Sequence, residues 1–308
     1  MSANDLGTAP NGPQSDSESS SPRDVTATLP NEVLLHIFSF IPGPDSRPNH
    51  AFYAHFDPVY ADIIQVSRRW RAIALACPQL WTYFDFRYPT LTWHGGPVKD
   101  LLALSKSEPL VIIYDDKNDY EPADAKEPIV EHIGHIKELR IRIEVHQKAT
   151  AQKLTRPAPM LEILSMSSAR MGSGGSFPLP KGFLGDDAPR LQSVDLAGVK
   201  GINWVPAVFS GHALTSLKVV NSSAPDRADH AYCDEILGAL ARMPSLVELT
   251  FVDVQPTGHT ADAHPGAEIA AHVRLPRLAE LRVMNYDRPC CKHIEDRVRI
   301  PWREEDRL

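Results

Sequence analysis

Apolar residues recur along the chain at two spacings, one typical of helices and the other of short strands. The first predicted helix follows Leu29 and Pro30, and its apolar positions have the i, i+3, i+4, i+7 spacing of one helical face: Leu34, Ile37, Phe38 and Ile41. Val33 and Phe40 lie beside that face, so the helix has more apolar surface than one packing face needs. We therefore expect one side to pack on its own domain and the other side to need a partner chain or a second layer of structure.

A second helix is predicted from about Ala61 to Ala76, with four apolar positions on one face: Ile63, Val66, Trp70 and Ile73. Its three arginines fall mainly on the other side and are interpreted as a solvated face: Arg68, Arg69 and Arg71. Pro78 ends this helix, and the apolar residues from Leu80 to Phe86 predict a first strand.

The rest of the chain contains an internal repeat in which three apolar positions are separated by two residues and then by one. Six copies begin at Ile136, Leu161, Leu191, Leu214, Leu246 and Leu278. In four copies a proline stands two residues before the first position: Pro159, Pro189, Pro244 and Pro276. The segment from Pro109, with the sequence PLVIIYD, is a further divergent unit, and each unit predicts one short strand.

Several segments between these strands have helical apolar spacing, the clearest being Tyr232, Ile236, Leu237 and Leu240. Two more are centred on Val98, Leu101 and Leu102, and on Ile129, Val130 and Ile133. Alternating strands and helices favour a parallel sheet. The predicted fold class is therefore α/β, with a small helical module followed by an irregular, leucine-rich repeat solenoid.

The helical module resembles an F-box. The resemblance rests on LPNEVLLHIFSFI from Leu29 to Ile41 and on IIQVSRRWRAIALACPQLW from Ile63 to Trp81. The whole layout is similar to fungal F-box proteins with degenerate leucine-rich repeats. The segment from Pro42 to Tyr60 is longer than the compact F-box pattern, and this departure affects the middle of the expected binding surface.

The resemblance implies a substrate-recognition subunit of a Skp–cullin–F-box ubiquitin ligase, with the module bound to the Skp adaptor and the repeats to an unknown target protein. The implied adaptor-binding residues are Leu29, Pro30, Val33, Leu34, Ile37, Phe38, Trp70, Leu80 and Trp81. Of these, Leu29, Pro30 and Leu34 are expected at the interface itself, whereas core packing is an open alternative for Trp70.

The predicted organisation has four parts, which are a disordered tail (1–24), the F-box-like module (25–82), the repeat array (83–285) and a polar tail or cap (286–308). A net charge of −7 gives no basic field for nucleic acid or membrane surfaces, so neither is expected as a partner. No signal peptide and no membrane-spanning run are recognised, and the expected location is the cytoplasm or the nucleus.

No catalytic motif, cofactor fingerprint or metal site is recognised, so a protein that is not an enzyme and uses no cofactor is expected. Cys290, Cys291 and His293 are a poor set of ligands for one tetrahedral ion. His132 and His135 are interpreted as a solvated helix edge. Two alternatives stay open: an interaction scaffold without a ligase role, and an enzyme with an unrecognised site on the repeats.

Overall fold

The computed structural model describes residues 26, 28–40, 59–86, 98–115, 126–143, 149–168, 177–200, 202, 204, 212–220, 233–254, 272–284 and 294–299. The predictions for the N-terminal tail, for most of the segment from Pro42 to Tyr60, and for Cys290, Cys291 and His293 lie outside these residues.

The helical module consists of three short helices and a 3₁₀ turn: α1 (Asn31–Ser39), α2 (Val59–Val66), α3 (Arg68–Leu75) and Pro78–Trp81. Pro30 occupies the N-cap position of α1, and Glu32 lies in the first turn, where its charge suits the positive end of the helix dipole. The prediction that helical structure begins at this proline is confirmed.

The prediction of one continuous second helix is wrong, because α2 and α3 are separate helices divided at Ser67. Ser67 is extended, with φ −157° and ψ 165°, and its side chain accepts a hydrogen bond from the Trp70 backbone N–H at 3.2 Å. A serine in this role is a favoured N-cap, which starts a new helix. The break changes the predicted apolar face, since Ile63 and Ile73 are buried while Val66 is 58% exposed.

Twelve strands are described, in chain order β1 (Tyr83–Asp85), β2 (Leu110–Asp115), β3 (Ile136–Ile143), β4 (Ile163–Ser168), β5 (Phe177–Pro178), β6 (Ser193–Ala197), β7 (Val199–Lys200), β8 (Ser216–Val220), β9 (Glu248–Val252), β10 (Val273–Arg274), β11 (Glu280–Met284) and β12 (Val298–Arg299). Eight of them form one parallel sheet in the order β1-β2-β3-β4-β6-β8-β9-β11. The remaining four form two short parallel pairs, β5 with β7 and β10 with β12. The predicted parallel sheet is confirmed, with each strand paired to its predecessor in the array.

The register of the sheet places equivalent positions of the six repeat copies side by side. The second apolar positions are successive partners across the sheet: Leu139, Leu164, Val194, Leu217, Leu249 and Leu281. The third apolar positions form a second line: Ile141, Met166, Leu196, Val219, Phe251 and Val283. All are buried except Leu281, which lies on the edge strand, so each unit adds two side chains to a continuous core.

The prolines that precede four copies have a common geometric role. The first apolar residue of each copy donates its N–H to the carbonyl three residues earlier, at 3.1–3.2 Å, in the pairs Leu161–Ala158, Leu191–Ala188, Leu246–Met243 and Leu278–Leu275. The proline therefore occupies the second position of a four-residue turn, where its restricted φ is favourable. This turn directs the chain into the strand and places the first apolar side chain in the core.

The connecting segments include α4 (Val98–Leu104), α5 (Lys126–Glu131), α6 (Ala149–Gln152) and α7 (Cys233–Leu240). The helices predicted around Leu101 and around Leu237 are thus confirmed. The helix predicted around Ile129 is α5, and Ile133 lies after it in a separate 3₁₀ turn (Ile133–His135). One cluster of buried apolar side chains extends from Leu34 in α1 to Val298 in β12, so the module and the sheet share a core.

The C-terminal part of the described chain packs on the array. Ile294 and Val298 are buried, and β12 pairs with β10 through Val273–Val298 and Arg274–Arg299. Of the segment predicted as a polar tail or cap, residues 294–299 are therefore part of the folded structure.

The shared core leads to a stability prediction. We expect Leu164→Ala to lower the free energy of unfolding of the full chain by about 2–5 kcal/mol, because it removes a fully buried side chain from the middle of the sheet. Urea denaturation measures the change. The neighbouring Ser165→Ala, on the outer face, is the control and should change it by about 0.5 kcal/mol or less. Similar losses in both variants would contradict the assigned register.

Candidate adaptor-binding site

Helix α1 has one buried side and one exposed apolar side. Leu34 and Phe38 are 0% and 1% exposed, whereas Val33, Ile37 and Phe40 are 40%, 41% and 72% exposed. The three exposed residues are spaced by four and three positions and therefore form one line along the helix, which we name the exposed stripe. The expectation that this helix has apolar surface beyond what its own chain covers is confirmed.

The buried side of α1 is held by aromatic packing against α3. The rings of Phe38 and Trp70 are 5.0 Å apart between centroids and inclined at 57°, within the range of favourable aromatic pairs. Trp70 Nε1 donates to Thr26 Oγ1 at 2.9 Å, and the buried Trp81 donates from Nε1 to the Ala74 carbonyl at 2.9 Å. Both indole N–H groups thus have partners, as burial requires.

The structure divides the nine predicted adaptor-binding residues into three groups. Pro30, Val33 and Ile37 are exposed, Leu29 and Trp70 are half-buried, and Leu34, Phe38, Leu80 and Trp81 are buried. Leu34, which was expected at the interface itself, is enclosed by its own chain in the same way as Phe38, Leu80 and Trp81. Adaptor contact by the nine residues stays a prediction.

Phe40 belongs to the exposed stripe but is not among the nine adaptor-binding residues predicted from the sequence. It is the most exposed of the three and makes an edge-to-face contact with His36 at a centroid distance of 4.7 Å. The sequence carried a signal for it, since Phe40 adds apolar surface beside the predicted helical face. The helical spacing placed Ile37 and Leu34 on one face, whereas in the structure Leu34 is buried and Ile37 is exposed.

The interpretation of the α3 arginines as a solvated face is wrong for Arg69. Its guanidinium donates to the Thr26 carbonyl at 3.0 Å, to the Leu29 carbonyl, and to Asn31 Oδ1 at 2.8 Å. Arg71 also has a local partner, the Ile64 carbonyl, at 2.8 Å. The segment that leads into α1 is therefore bound to α3 by polar contacts as well as by the aromatic pair.

The second surface is the outer face of the sheet, formed by the strand residues that alternate with the buried ones. Four ion pairs are described on it: Lys218 with Asp195 at 2.9 Å, Arg142 with Asp115 at 3.8 Å, Arg140 with Glu138, and Arg282 with Glu280. At the ends of the last strands, Val220, Val252 and Met284 are register partners and add an apolar strip. The outer face therefore combines neutralised charge pairs with a small apolar area.

His132 and His135 contact each other and are both half-buried, so the solvated edge predicted for them is only partly exposed. His132 Nδ1 and His135 Nε2 are 3.3 Å apart, and Ser105 Oγ is 3.5 Å from the same His135 atom. Ser105 donates its own hydroxyl proton to the Leu102 carbonyl at 2.6 Å. An N–H on His135 Nε2 that points to His132 Nδ1 satisfies this arrangement when both imidazoles are neutral.

Burial lowers the pKa of both histidines below the ordinary value of 6.5. For His132, nearby Glu131 opposes this effect on the pKa and Lys99 adds to it, while for His135 the second contribution comes from His132. The folded state therefore favours the neutral pair.

Within the described ranges, no three side chains among histidine, cysteine, aspartate and glutamate come together in a way that would hold a metal ion. No helix of the described residues has the length and apolar composition of a membrane span.

Comparison with protein families matches residues 26–87, about a fifth of the chain, to the family described as F-box-like. The match covers α1, α2, α3, the following 3₁₀ turn and β1. A search of curated proteins found no match. The module is thus similar to F-box-like domains, which supports an F-box protein and a role in protein binding.

The histidine pair leads to a prediction of pH dependence. We expect the free energy of unfolding to fall as the pH is lowered below about 6.5, because the histidines of the unfolded chain take up protons there more readily than the folded pair, whose pKa values are lowered. Urea denaturation at about pH 7.5 and about pH 5.5 measures the loss. It should be smaller in the double variant His132→Gln with His135→Gln, and unchanged in the control His212→Gln, an exposed position. An equal loss in the double variant would contradict the assignment.

Proposed function

We propose that this protein is the substrate-recognition subunit of a Skp–cullin–F-box ubiquitin ligase. The observation that carries the proposal is the exposed stripe on α1, which lies inside the segment similar to F-box-like domains. F-box-like domains generally bind Skp-like adaptors. A Skp adaptor is therefore the partner proposed to cover Val33, Ile37 and Phe40, and through it the protein would join a cullin.

The size of the exposed stripe is consistent with a docking anchor. Full burial of a side chain such as valine, isoleucine or phenylalanine contributes about 1.5–3 kcal/mol each. A helix that lays an apolar stripe into a groove of its partner is a common mode of peptide and protein recognition. The buried residues of α1 support this docking indirectly, since Phe38 and Leu34 fix the side of the helix that faces away from the core.

The sheet is proposed to be an irregular leucine-rich repeat solenoid that holds the target protein. Three observations support this proposal: the chain-order parallel sheet, the alignment of the motif positions across it, and the shared proline turns. The outer face would then present its charge pairs and its apolar strip to the target. Because several of these charges are already paired within the chain, shape and hydrogen bonding would select the target together with charge.

In this role the protein does no bond chemistry itself. It brings a lysine of the target close to the ubiquitin-charged enzyme, which raises the local concentration of one reactant near the other. The role requires a protein that works in the cytoplasm or the nucleus.

The second candidate is a repeat scaffold without a ligase role. It is favoured by the separation of α1 and α2. Helix α1 ends at Ser39 and α2 begins at Val59, so the segment between them is longer than in the compact F-box pattern. Adaptor binding distinguishes the two candidates.

The adaptor prediction is tested with the double variant Ile37→Asp with Phe40→Asp. We expect the Kd for a purified Skp-family adaptor to rise by about 30-fold or more, which is about 2 kcal/mol, because two exposed apolar anchors become charged. Isothermal titration calorimetry on the full chain measures the Kd.

Ser39→Asp is the matched control, since Ser39 is exposed on the same helix and lies away from the exposed stripe. It should bind like the wild-type chain, and circular dichroism should show that all variants are folded. Wild-type affinity in the double variant would remove the proposed docking surface, and absence of adaptor binding by the wild-type chain would favour the scaffold.

The target prediction is tested on the outer face with Arg140→Ala, Lys218→Ala and Arg282→Ala combined. These side chains are exposed, so we expect the fold and adaptor binding to be retained while proteins that copurify through the sheet are lost. Quantitative mass spectrometry after affinity purification measures the loss, with the copurified adaptor as internal reference. Recovery of the same proteins at the same ratio would contradict a target site on this face.

A further inference from the structure

Arg69 binds several parts of the segment that precedes α1. Nη1 donates to the Thr26 carbonyl at 3.0 Å, and Nη2 donates to the Leu29 carbonyl and to Asn31 Oδ1, the latter at 2.8 Å. Nε lies 3.3 Å from the same Asn31 oxygen. One guanidinium thus connects two residues that precede α1, and the first residue of α1 itself, with the first turn of α3.

The segment that Arg69 binds is itself a turn. Leu29 donates its N–H to the Thr26 carbonyl at 3.1 Å, so the same carbonyl accepts from both Leu29 and Arg69. Trp70, the next residue of α3, donates to the Thr26 side chain at 2.9 Å. Two adjacent residues of α3 therefore hold both polar oxygens of Thr26. We name the contacts of Arg69 with Thr26, Leu29 and Asn31 the guanidinium latch.

Helix α1 has little local support of its own. It is nine residues long, which is below the ~12–15 residues at which isolated helices become stable in water. Pro30 at its N-cap position provides no side-chain hydrogen bond to the first turn. The aromatic pair of Phe38 and Trp70 holds the far end of the helix, and the latch holds its beginning together with the buried Leu34.

We propose that Arg69 is a positioning residue for adaptor docking, which sets the direction in which α1 leaves its turn and thereby the presentation of the exposed stripe. The inference rests on the proposed function. It adds a residue that does not itself belong to the exposed stripe and acts through Thr26, Leu29 and Asn31. A planar guanidinium bonds several acceptors at fixed angles, which a lysine ammonium does not reproduce.

The experiment compares Arg69→Ala and Arg69→Lys with Arg68→Ala, which removes a neighbouring exposed arginine of the same helix. Two quantities are measured on the full chain: the Kd for a purified Skp-family adaptor and the hydrogen exchange of the amides of Leu29 and Leu34. Arg69→Ala should raise the Kd about tenfold and speed exchange of both amides. Arg69→Lys should fall between Arg69→Ala and the wild type, and Arg68→Ala should match the wild type.

Asn31→Ala is the second variant, and it removes one acceptor from the latch while leaving Arg69 in place. Its effect on the Kd should be smaller than that of Arg69→Ala, and the double variant should be no worse than Arg69→Ala alone, because both act on the same contact. Additive effects would mean that the two residues act separately, which overturns the latch. If Arg69→Ala does not fold, Arg69→Lys and Asn31→Ala still decide the question.

The two proposals fail in different ways. If the wild-type chain binds the adaptor and Arg69→Ala binds equally well, the latch has no part in docking and this inference is wrong. If no chain binds the adaptor while Arg69→Ala still speeds exchange at Leu29, the latch exists and the proposed function is wrong. Unchanged exchange and unchanged Kd together overturn the latch in either case.

Discussion

The structure depends on the burial of two aligned lines of apolar side chains, one from each of two motif positions in successive strands. Their alignment requires parallel strands in chain order, and parallel neighbours require a connecting segment between every pair. Of the described connecting segments, α4 and α7 contribute buried side chains to the same core. The same core continues into the helical module through Trp81 and Phe84, so the module is anchored to the array.

That anchoring explains why α1 has two sides with different roles. Leu34 and Phe38 belong to the common core, and Val33, Ile37 and Phe40 are left outside. A nine-residue helix has little stability alone, so its orientation is set by what it packs on and by the polar contacts at its beginning. The proposed docking surface is in this sense a product of the core and of Arg69 rather than of the helix by itself.

Much of the fold could be predicted because its signals are local or periodic. The spacing of Leu161, Leu164 and Met166 marks a strand with alternate burial, and Pro159 marks the turn before it. The errors occur where a tertiary contact decides between local options. Ser67 is compatible with a helix interior or a cap, and in the structure its extended backbone and its hydrogen bond from the Trp70 N–H make it a cap. Arg69 has the sequence context of a solvated charge, yet its acceptors are about forty positions away along the chain.

The sequence by itself determined the order of the strands of the large sheet, the repeat with its leading prolines and the apolar excess of α1, because each follows from spacing over a few residues. The tertiary structure alone decided which apolar residues of α1 are covered, that His132 and His135 face each other, and that Arg69 binds the segment before α1. These features require knowledge of which distant residues are neighbours. A helical periodicity specifies how side chains are arranged around an axis, but only the position of the next helix decides which of them is buried.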